Sequence, residues 1–149
     1  MDFTLIVIAL VLILVLVLFG VQVLTLKWVK RRSMAAIRGR YGENDIILQS
    51  LAANFFGQTS EGYSQIRGNG ALVLTKNELW FRMAMPAKEL SIPIRNITDT
   101  EIRKSHLKKT KMRPLLYVEF TTPEGPDSAA WLVEDPRDWC KEIERLKGS

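Results

Sequence analysis

A single uncharged stretch near the N-terminus constrains this sequence more than any other feature. From Leu5 to Leu26 the chain runs for 22 residues without Asp, Glu, Lys or Arg, and its only polar side chains are Gln22 and Thr25. As an α-helix rising ~1.5 Å per residue, it would span roughly 33 Å, which exceeds the ~30 Å hydrocarbon core of a bilayer. A helix in a soluble protein seldom carries apolar side chains on every face over such a length. Residues 1–26 are therefore predicted to form a transmembrane anchor.

The residues that flank this stretch set its expected orientation. Asp2 precedes it without any Lys or Arg, whereas six cations follow within 14 residues: Lys27, Lys30, Arg31, Arg32, Arg38 and Arg40. Cationic flanks are retained on the cytoplasmic side of a membrane. We therefore expect the N-terminus outside and the remainder in the cytoplasm, with a bacterial inner membrane favoured. The segment is also expected to remain attached, because Met1–Thr4 has no cation and Val21–Trp28 has no small-residue cleavage site.

The net charge is concentrated beside the predicted span. The formal net charge of +5 is the sum of −1 from Asp2, +4 from residues 27–45 and +2 from residues 46–149. A basic protein can bind nucleic acid, but the sequence contains no nucleic-acid-binding motif. Cations beside a span are explained by topology and by attraction to anionic headgroups. We interpret residues 27–45 as a basic juxtamembrane helix and linker, and we expect anionic lipid, not nucleic acid, as its partner.

Residues 46–149 have the pattern of a mainly β domain. Its clearest element is a hairpin, in which two β-rich runs flank the turn Lys76-Asn77. Residues 46–56 are ambiguous between a strand and a helical turn. Ile97 and Ile102 are candidate buried positions on a later strand. The predicted strands are Ile46–Phe56, Ala71–Thr75, Glu78–Met83, Lys88–Ile92, Asn96–Arg103, Leu115–Thr121 and Ala129–Val133.

The end of the chain predicts one amphipathic helix. Asp135 suits an N-cap and Pro136 suits the first helical position. One apolar stripe then follows a helical spacing, formed by Trp139, Cys140, Ile143 and Leu146. We expect this helix to cover the open end of the small sheet.

Several of these motifs resemble a pleckstrin-homology-like domain, and most closely its GRAM subgroup. The hairpin matches the pattern G-x-L-x-L-T followed by L-x-F at Gly70–Thr75 and Leu79–Phe81, and Ile92–Ile97 matches I-P-x-x-x-I. The resemblance covers residues 46–146. It implies a seven-stranded curved sheet or barrel capped by a C-terminal helix, and binding of phosphoinositides, other lipids or peptides. Family members bind phosphoinositides through cations in the loop after the first strand; here Gln58–Glu61 contains none.

Catalysis is not expected from this sequence. It contains one His and one Cys, and Cys140 lies on the apolar stripe of the predicted helix. His106 lies in a charged segment, residues 104–114, that we interpret as a solvated loop. Nucleophilic triads and metal sites need clusters of such residues. We therefore predict no enzyme activity, no metal site and no cofactor.

Two groups of residues are candidate contacts. The basic cluster has six cations and no acid within eleven residues: Arg103, Lys104, Lys108, Lys109, Lys111 and Arg113. Such a run is either a solvated loop or, together with Lys27, Lys30, Arg31 and Arg32, a surface that docks on anionic headgroups. Alternatively, the domain recruits a protein partner. Because neighbouring strand residues face opposite sides, only one of Phe55 and Phe56 can face the core. The other would either pack in a satellite cluster or be a partner contact.

Overall fold

The structure, a computed structural model, describes residues 2–107 and 109–149, of which residues 109–111 are described by their backbone alone. Its first element is α1, one continuous helix at Phe3–Arg38. None of the residues in its most apolar 18-residue window is buried within the chain. A core helix of a soluble protein would hide such side chains. α1 is therefore a candidate membrane span by length and composition, and it continues as a helix beyond the uncharged stretch, as predicted.

Seven antiparallel strands form one sheet in the order β4-β3-β2-β1-β7-β6-β5. A second helix, α2, follows the sheet at Pro136–Lys147. The strands are β1 Ile46–Gln58, β2 Asn69–Thr75, β3 Glu78–Met83, β4 Glu89–Pro93, β5 Ile97–His106, β6 Lys109–Thr122 and β7 Gly125–Leu132. The mainly β class, the seven strands and the closing helix are as predicted, and residues 46–56 belong to a strand.

β1 joins the two halves of the sheet. Residues 46–54 pair with β2, and residues 54–58 pair with β7. Because β1 has these two neighbours in succession, the sheet can bend around an apolar interior. Three rings meet in that interior with centroids 5.0–5.9 Å apart: Phe55, Phe81 and Trp131.

α2 packs against the same interior. Its stripe lies as predicted, with Cys140 half-buried and three members buried in the main core: Trp139, Ile143 and Leu146. Asp135 precedes the helix, but its side chain makes no capping hydrogen bond and its φ is +48°. Its backbone carbonyl accepts a hydrogen bond from the Asp138 N–H instead, at 3.0 Å.

Two expectations about the last part of the sheet are wrong. Ile97 is buried, but Ile102 is 41% exposed, because β5 is an edge strand with β6 as its one neighbour in the sheet. The segment interpreted as a charged loop is a β5–β6 hairpin, in which Ser105 pairs with Thr110 and His106 with Lys109. Charged side chains are compatible with a strand whose outer face is solvated.

Candidate lipid-facing site

The basic part of α1 packs against the outer face of the sheet. Val29, Ser33 and Ile37 are its buried residues, and their spacing of four places them on one side of the helix. Ile37 belongs to an apolar cluster with three residues of β2 and β3: Ala71, Val73 and Trp80. The juxtamembrane helix is therefore part of the folded domain. The spacing of its buried residues is the one sign of this contact in the sequence, and the cations between them obscure it.

Beyond Gly39, polar contacts fix the connection to β1; we call them the Arg40 cluster, formed by Arg40, Tyr41, Glu78, Trp80 and Glu89. The Arg40 guanidinium donates to Glu89 at 3.0 Å and to Glu78 at 3.1 Å, and it lies 5.3 Å from the Trp80 ring centroid. The Tyr41 hydroxyl donates to Glu78 at 2.5 Å, and the Trp80 indole N–H donates to Glu89 at 2.6 Å. The start of this connection, at Arg40 and Tyr41, is thus held against β3 and β4.

Glu78 is the electrostatic centre of the Arg40 cluster. Burial alone would raise its pKa, but hydrogen bonds from Ser91, Tyr41 and Arg40 outweigh burial and hold the pKa of Glu78 below its ordinary value. Burial, followed by the hydrogen bond to Glu78, raises the pKa of the Tyr41 hydroxyl well above its ordinary value. At neutral pH, Glu78 is therefore ionised and the Tyr41 hydroxyl is protonated, as the hydrogen bond between them requires.

The packing of α1 defines two ends of the sheet. Near the C-terminal end of α1, Met34 and Ile37 line a groove with Ile46 and Gln49, whereas Lys30 lines one that extends along residues 49–54 of β1 to Asn69 at the start of β2. We call the end of the sheet nearer the uncharged part of α1 the proximal end, and the end with the Lys76-Asn77 turn the distal end. Lys30 lies four residues beyond Leu26, which is ~6 Å along a helix.

Two predicted lipid contacts, one on α1 and one on β6, meet at one groove. Lys30 and Arg113 both line this groove, which has a volume of about 550 Å³ and a floor formed by residues 49–52 of β1. Glu134 and two amide side chains, Asn54 and Asn69, complete its polar lining. Neither Lys30 nor Arg113 forms an ion pair with another described residue. The groove therefore offers two cations to an anion.

The other predicted basic contacts are placed differently. Arg103 is engaged within the sheet, because it bonds Glu101 at 2.6 Å, approaches Glu119 at 3.7 Å and lies 3.5 Å from the Tyr117 ring centroid. Arg32 lies 5.3 Å from the Trp28 ring centroid. Exposed cations of this group are Lys27, Arg31, Arg32 and Lys104. Lys108 lies outside the described residues, as do the side chains of Lys109 and Lys111.

His106 was expected to be a solvated loop residue, and this expectation is wrong. It is buried, and its Nε2 lies 3.1 Å from the Gly57 carbonyl oxygen. The imidazole centroid is 5.4 Å from that of Tyr117. Burial lowers the pKa of His106. The end of the β5–β6 hairpin therefore folds against the outer side of the sheet.

Neither aromatic residue proposed as a partner contact is accessible. Phe55 lies in the main core, as one of the two was expected to. Phe56 faces the other side, where it is buried in a second apolar cluster with Leu115, Tyr117 and Ala130. Phe56 therefore has a satellite packing role, because the outer side of β1 is covered as well as the inner side.

Arg67, which precedes β2, was not among the residues predicted from the sequence to form a site. The three guanidinium nitrogens of Arg67 are buried, and none of the described residues gives them a hydrogen-bond partner. Burial lowers the pKa of Arg67. A guanidinium has five donor hydrogens and usually binds a carboxylate or phosphate. Arg67 is therefore a buried cation beneath the proximal end of the sheet, separate from the exposed cations of the groove.

No family model matches the sequence, and no curated protein matches it. Among solved structures, a chain of "The 8S snRNP Assembly Intermediate" is similar to it in fold, with a TM-score of 0.56 at 13% identity over 72% of this chain and 85% of that chain. The C-terminal domain of an unknown protein from Leishmania infantum matches with a TM-score of 0.44 at 18% identity, over 78% of this chain and 92% of that chain. At 13% identity, the match to the chain of the snRNP assembly intermediate shows a similar fold and nothing more.

Proposed function

We propose that this chain is a non-catalytic, single-pass membrane protein whose folded domain binds or senses anionic lipid headgroups. The observation that carries the proposal is the groove shared by Lys30 and Arg113, which α1 places ~6 Å from the end of the uncharged stretch. The headgroup layer on each side of a bilayer is about 5–7 Å thick. A phosphate of that layer is therefore within reach of both cations.

The fold and the charge distribution support finer parts of the proposal. The seven strands and closing helix suit the resemblance to pleckstrin-homology-like domains, and we assign the domain to that group. The excess of cations after the span favours a cytoplasmic domain, an external N-terminus and a bacterial inner membrane. Because the domain is packed against α1, its surface is presented to one leaflet at a defined height.

The role of a protein scaffold has less support. Its two predicted contact residues, Phe55 and Phe56, are both buried, so a partner would need another surface. We therefore retain lipid recognition as the proposed function.

The first prediction tests lipid recognition on the full chain in bilayers. Spin-labelled phosphatidylglycerol and phosphatidylcholine report, by electron paramagnetic resonance, which lipid the protein immobilises. We expect a preference for phosphatidylglycerol that the double variant Lys30→Glu/Arg113→Glu reduces. Each cation near the surface contributes ~1 kcal/mol, or about fivefold in affinity. High salt should weaken the same preference.

The distal end offers a matched control. Lys76 and Arg95 also line one groove, with a volume of about 500 Å³, so Lys76→Glu/Arg95→Glu changes the net charge equally at the end remote from the bilayer. This double variant is expected to keep the preference for phosphatidylglycerol. Equal losses from both double variants, or no loss from either, would contradict the proposed headgroup site.

A further inference from the structure

Two loops at the proximal end carry exposed apolar side chains. Tyr63 and Ile66, between β1 and β2, are 58% and 62% exposed, and Met85, between β3 and β4, is 65% exposed. Elsewhere in the described part of the sheet domain, two other large apolar side chains are exposed: Ile102 and Met112. Isolated exposed apolar residues are ordinary on a protein surface, but these three lie together at one end of the sheet.

The two loops form one continuous surface, which we call the loop pair, residues 62–68 and 84–88. The Ala84 N–H donates to the Asn69 carbonyl at 2.9 Å, and Lys88 forms an ion pair with Glu61. A side-chain carbon added at Gly68 would lie 3.5 Å from the Met85 carbonyl oxygen. Ile66 and Met85 therefore belong to backbone segments that lie side by side.

The loop pair lies beside the end of the uncharged stretch of α1. Val29 is buried, so the domain extends to within three residues of Leu26, which is ~4.5 Å along the helix. Arg32, ~9 Å beyond Leu26, lines a groove with Met83 and with Ala84, the first residue of the second loop. The loop pair is therefore at the depth where the headgroup layer of about 5–7 Å meets the cytoplasm.

We propose that the loop pair is a second membrane contact, in which the side chains of Tyr63, Ile66 and Met85 extend from the cytoplasmic edge of the headgroup layer toward the boundary between headgroups and acyl chains of the bilayer that holds α1. This inference rests on the proposed membrane insertion of α1. A Tyr side chain suits that boundary because its ring is apolar and its hydroxyl is polar. The transfer of isoleucine and methionine side chains out of water is favourable in free energy. The cations of α1 beside the loops favour anionic headgroups around them.

This second contact has a consequence for how the domain meets lipid. A single helix leaves the domain able to rotate with α1 about the membrane normal and to tilt. A second contact, displaced sideways from α1, limits the tilt and keeps the groove of Lys30 and Arg113 level with the headgroups. The loop pair would thus be a positioning element for the proposed headgroup site.

The second prediction tests this insertion on the full chain in vesicles. Cys140→Ala removes the native thiol, and Ile66→Cys or Met85→Cys then carries an NBD fluorophore. Lys76→Cys, exposed in the distal turn, is the matched control. We expect blue-shifted emission and quenching by doxyl-labelled lipid at positions 66 and 85, and quenching by aqueous iodide at position 76. All three positions are exposed in the fold, so the labels should be tolerated.

Two vesicle compositions separate this inference from the proposed function. In phosphatidylcholine alone, apolar insertion should persist, whereas headgroup selectivity has no anionic lipid to act on. Insertion of both probes that is unaffected by added phosphatidylglycerol supports the loop contact whether or not the first prediction succeeds. If iodide quenches positions 66 and 85 as fully as position 76 in both compositions, the loop contact is overturned, even where spin-labelled lipids show selectivity. The same result together with capture of a soluble protein would assign the loop pair to that partner.

Discussion

Arg67 carries a positive charge that the fold buries without a partner in the described part of the chain. Its guanidinium nitrogens are removed from water, and the loss of hydration is not compensated by a hydrogen bond. Leaving a buried charge unpaired costs free energy, whereas replacing it by an apolar side chain of similar volume is often neutral or stabilising. The residue therefore lowers the stability of the domain unless an anion binds it.

The third prediction follows from this imbalance. Arg67→Met should leave the thermal unfolding midpoint of the full chain in detergent micelles unchanged or raise it, with a gain in unfolding free energy of up to about 2 kcal/mol. Arg103→Met is the control, because it removes an ion pair with Glu101 and a contact with the Tyr117 ring, and it should lower the midpoint. If Arg67→Met lowers the midpoint as much as Arg103→Met, Arg67 has a partner in solution. Added phosphate that stabilises the wild-type protein but not Arg67→Met would identify an oxyanion.

At the scale of elements, the β2–β3 hairpin and α2 were predictable because their signals are local. Two β-rich runs around Lys76-Asn77 and one helical stripe each lie within a short window of sequence. The β5–β6 hairpin was missed because its charged residues resemble a loop, and the burial of His106 depends on Gly57, a residue of β1 far away in sequence. The packing of α1 was missed for the same reason, since it is decided by the partners of Ile37 on β2 and β3. The candidate cations were predictable as a class, but the pairing of Lys30 with Arg113 was not.

The connection between α1 and β1 gives the fourth prediction, a pH dependence. The pKa of Glu78 is lowered in the folded state, so its contribution to stability is present above the unfolded-state pKa of about 4.3 and is lost as the pH falls through the lower folded-state pKa. Glu78→Gln should lower the free energy of unfolding at neutral pH by about 1.5–3 kcal/mol, the range for hydrogen bonds to charged groups. Below pH ~4, in the window set by that lowered pKa, the difference between wild type and variant should shrink.

Chemical denaturation of the full chain at a series of pH values measures this difference. Glu124→Gln is a suitable control, because Glu124 is an exposed carboxylate in the turn between β6 and β7. A difference between wild type and Glu78→Gln that stays constant from neutral to acidic pH would show that Glu78 acts through packing and not through its charge.

At the scale of the whole molecule, the central question is whether α1 and the sheet move as one body. Val29, Ser33 and Ile37 bury one side of the basic part of α1, and the Arg40 cluster holds the residues that follow. A flexible tether would let the domain sample many orientations above the bilayer. The packed helix instead fixes which surface faces the lipid, and both the groove and the loop pair depend on that orientation.

The fifth prediction concerns this coupling. Spin labels at Gln22→Cys and Asn77→Cys, in a Cys140→Ala background, report the distance between α1 and the distal turn in nanodiscs. We expect a narrow distance distribution for the otherwise unchanged chain. Ile37→Asp places a carboxylate in the apolar cluster with Ala71, Val73 and Trp80, where an unpaired charge is not tolerated, and should broaden the distribution. Ala35→Asp adds the same side chain at an exposed position of α1 and should leave the distribution narrow.

The two substitutions separate coupling from general effects of added charge near the membrane. Since Ile37 is 1% exposed, its replacement releases the helix from β2 and β3 while the main core around Phe55 and Trp131 remains intact. Broad distributions in all three proteins would mean that the helix and the sheet move independently, and the height of the groove above the bilayer would then not be fixed by α1. A narrow distribution that only Ile37→Asp broadens makes the juxtamembrane helix the element that orients the domain, and predicts that Ile37→Asp also weakens the phosphatidylglycerol preference without altering any cation.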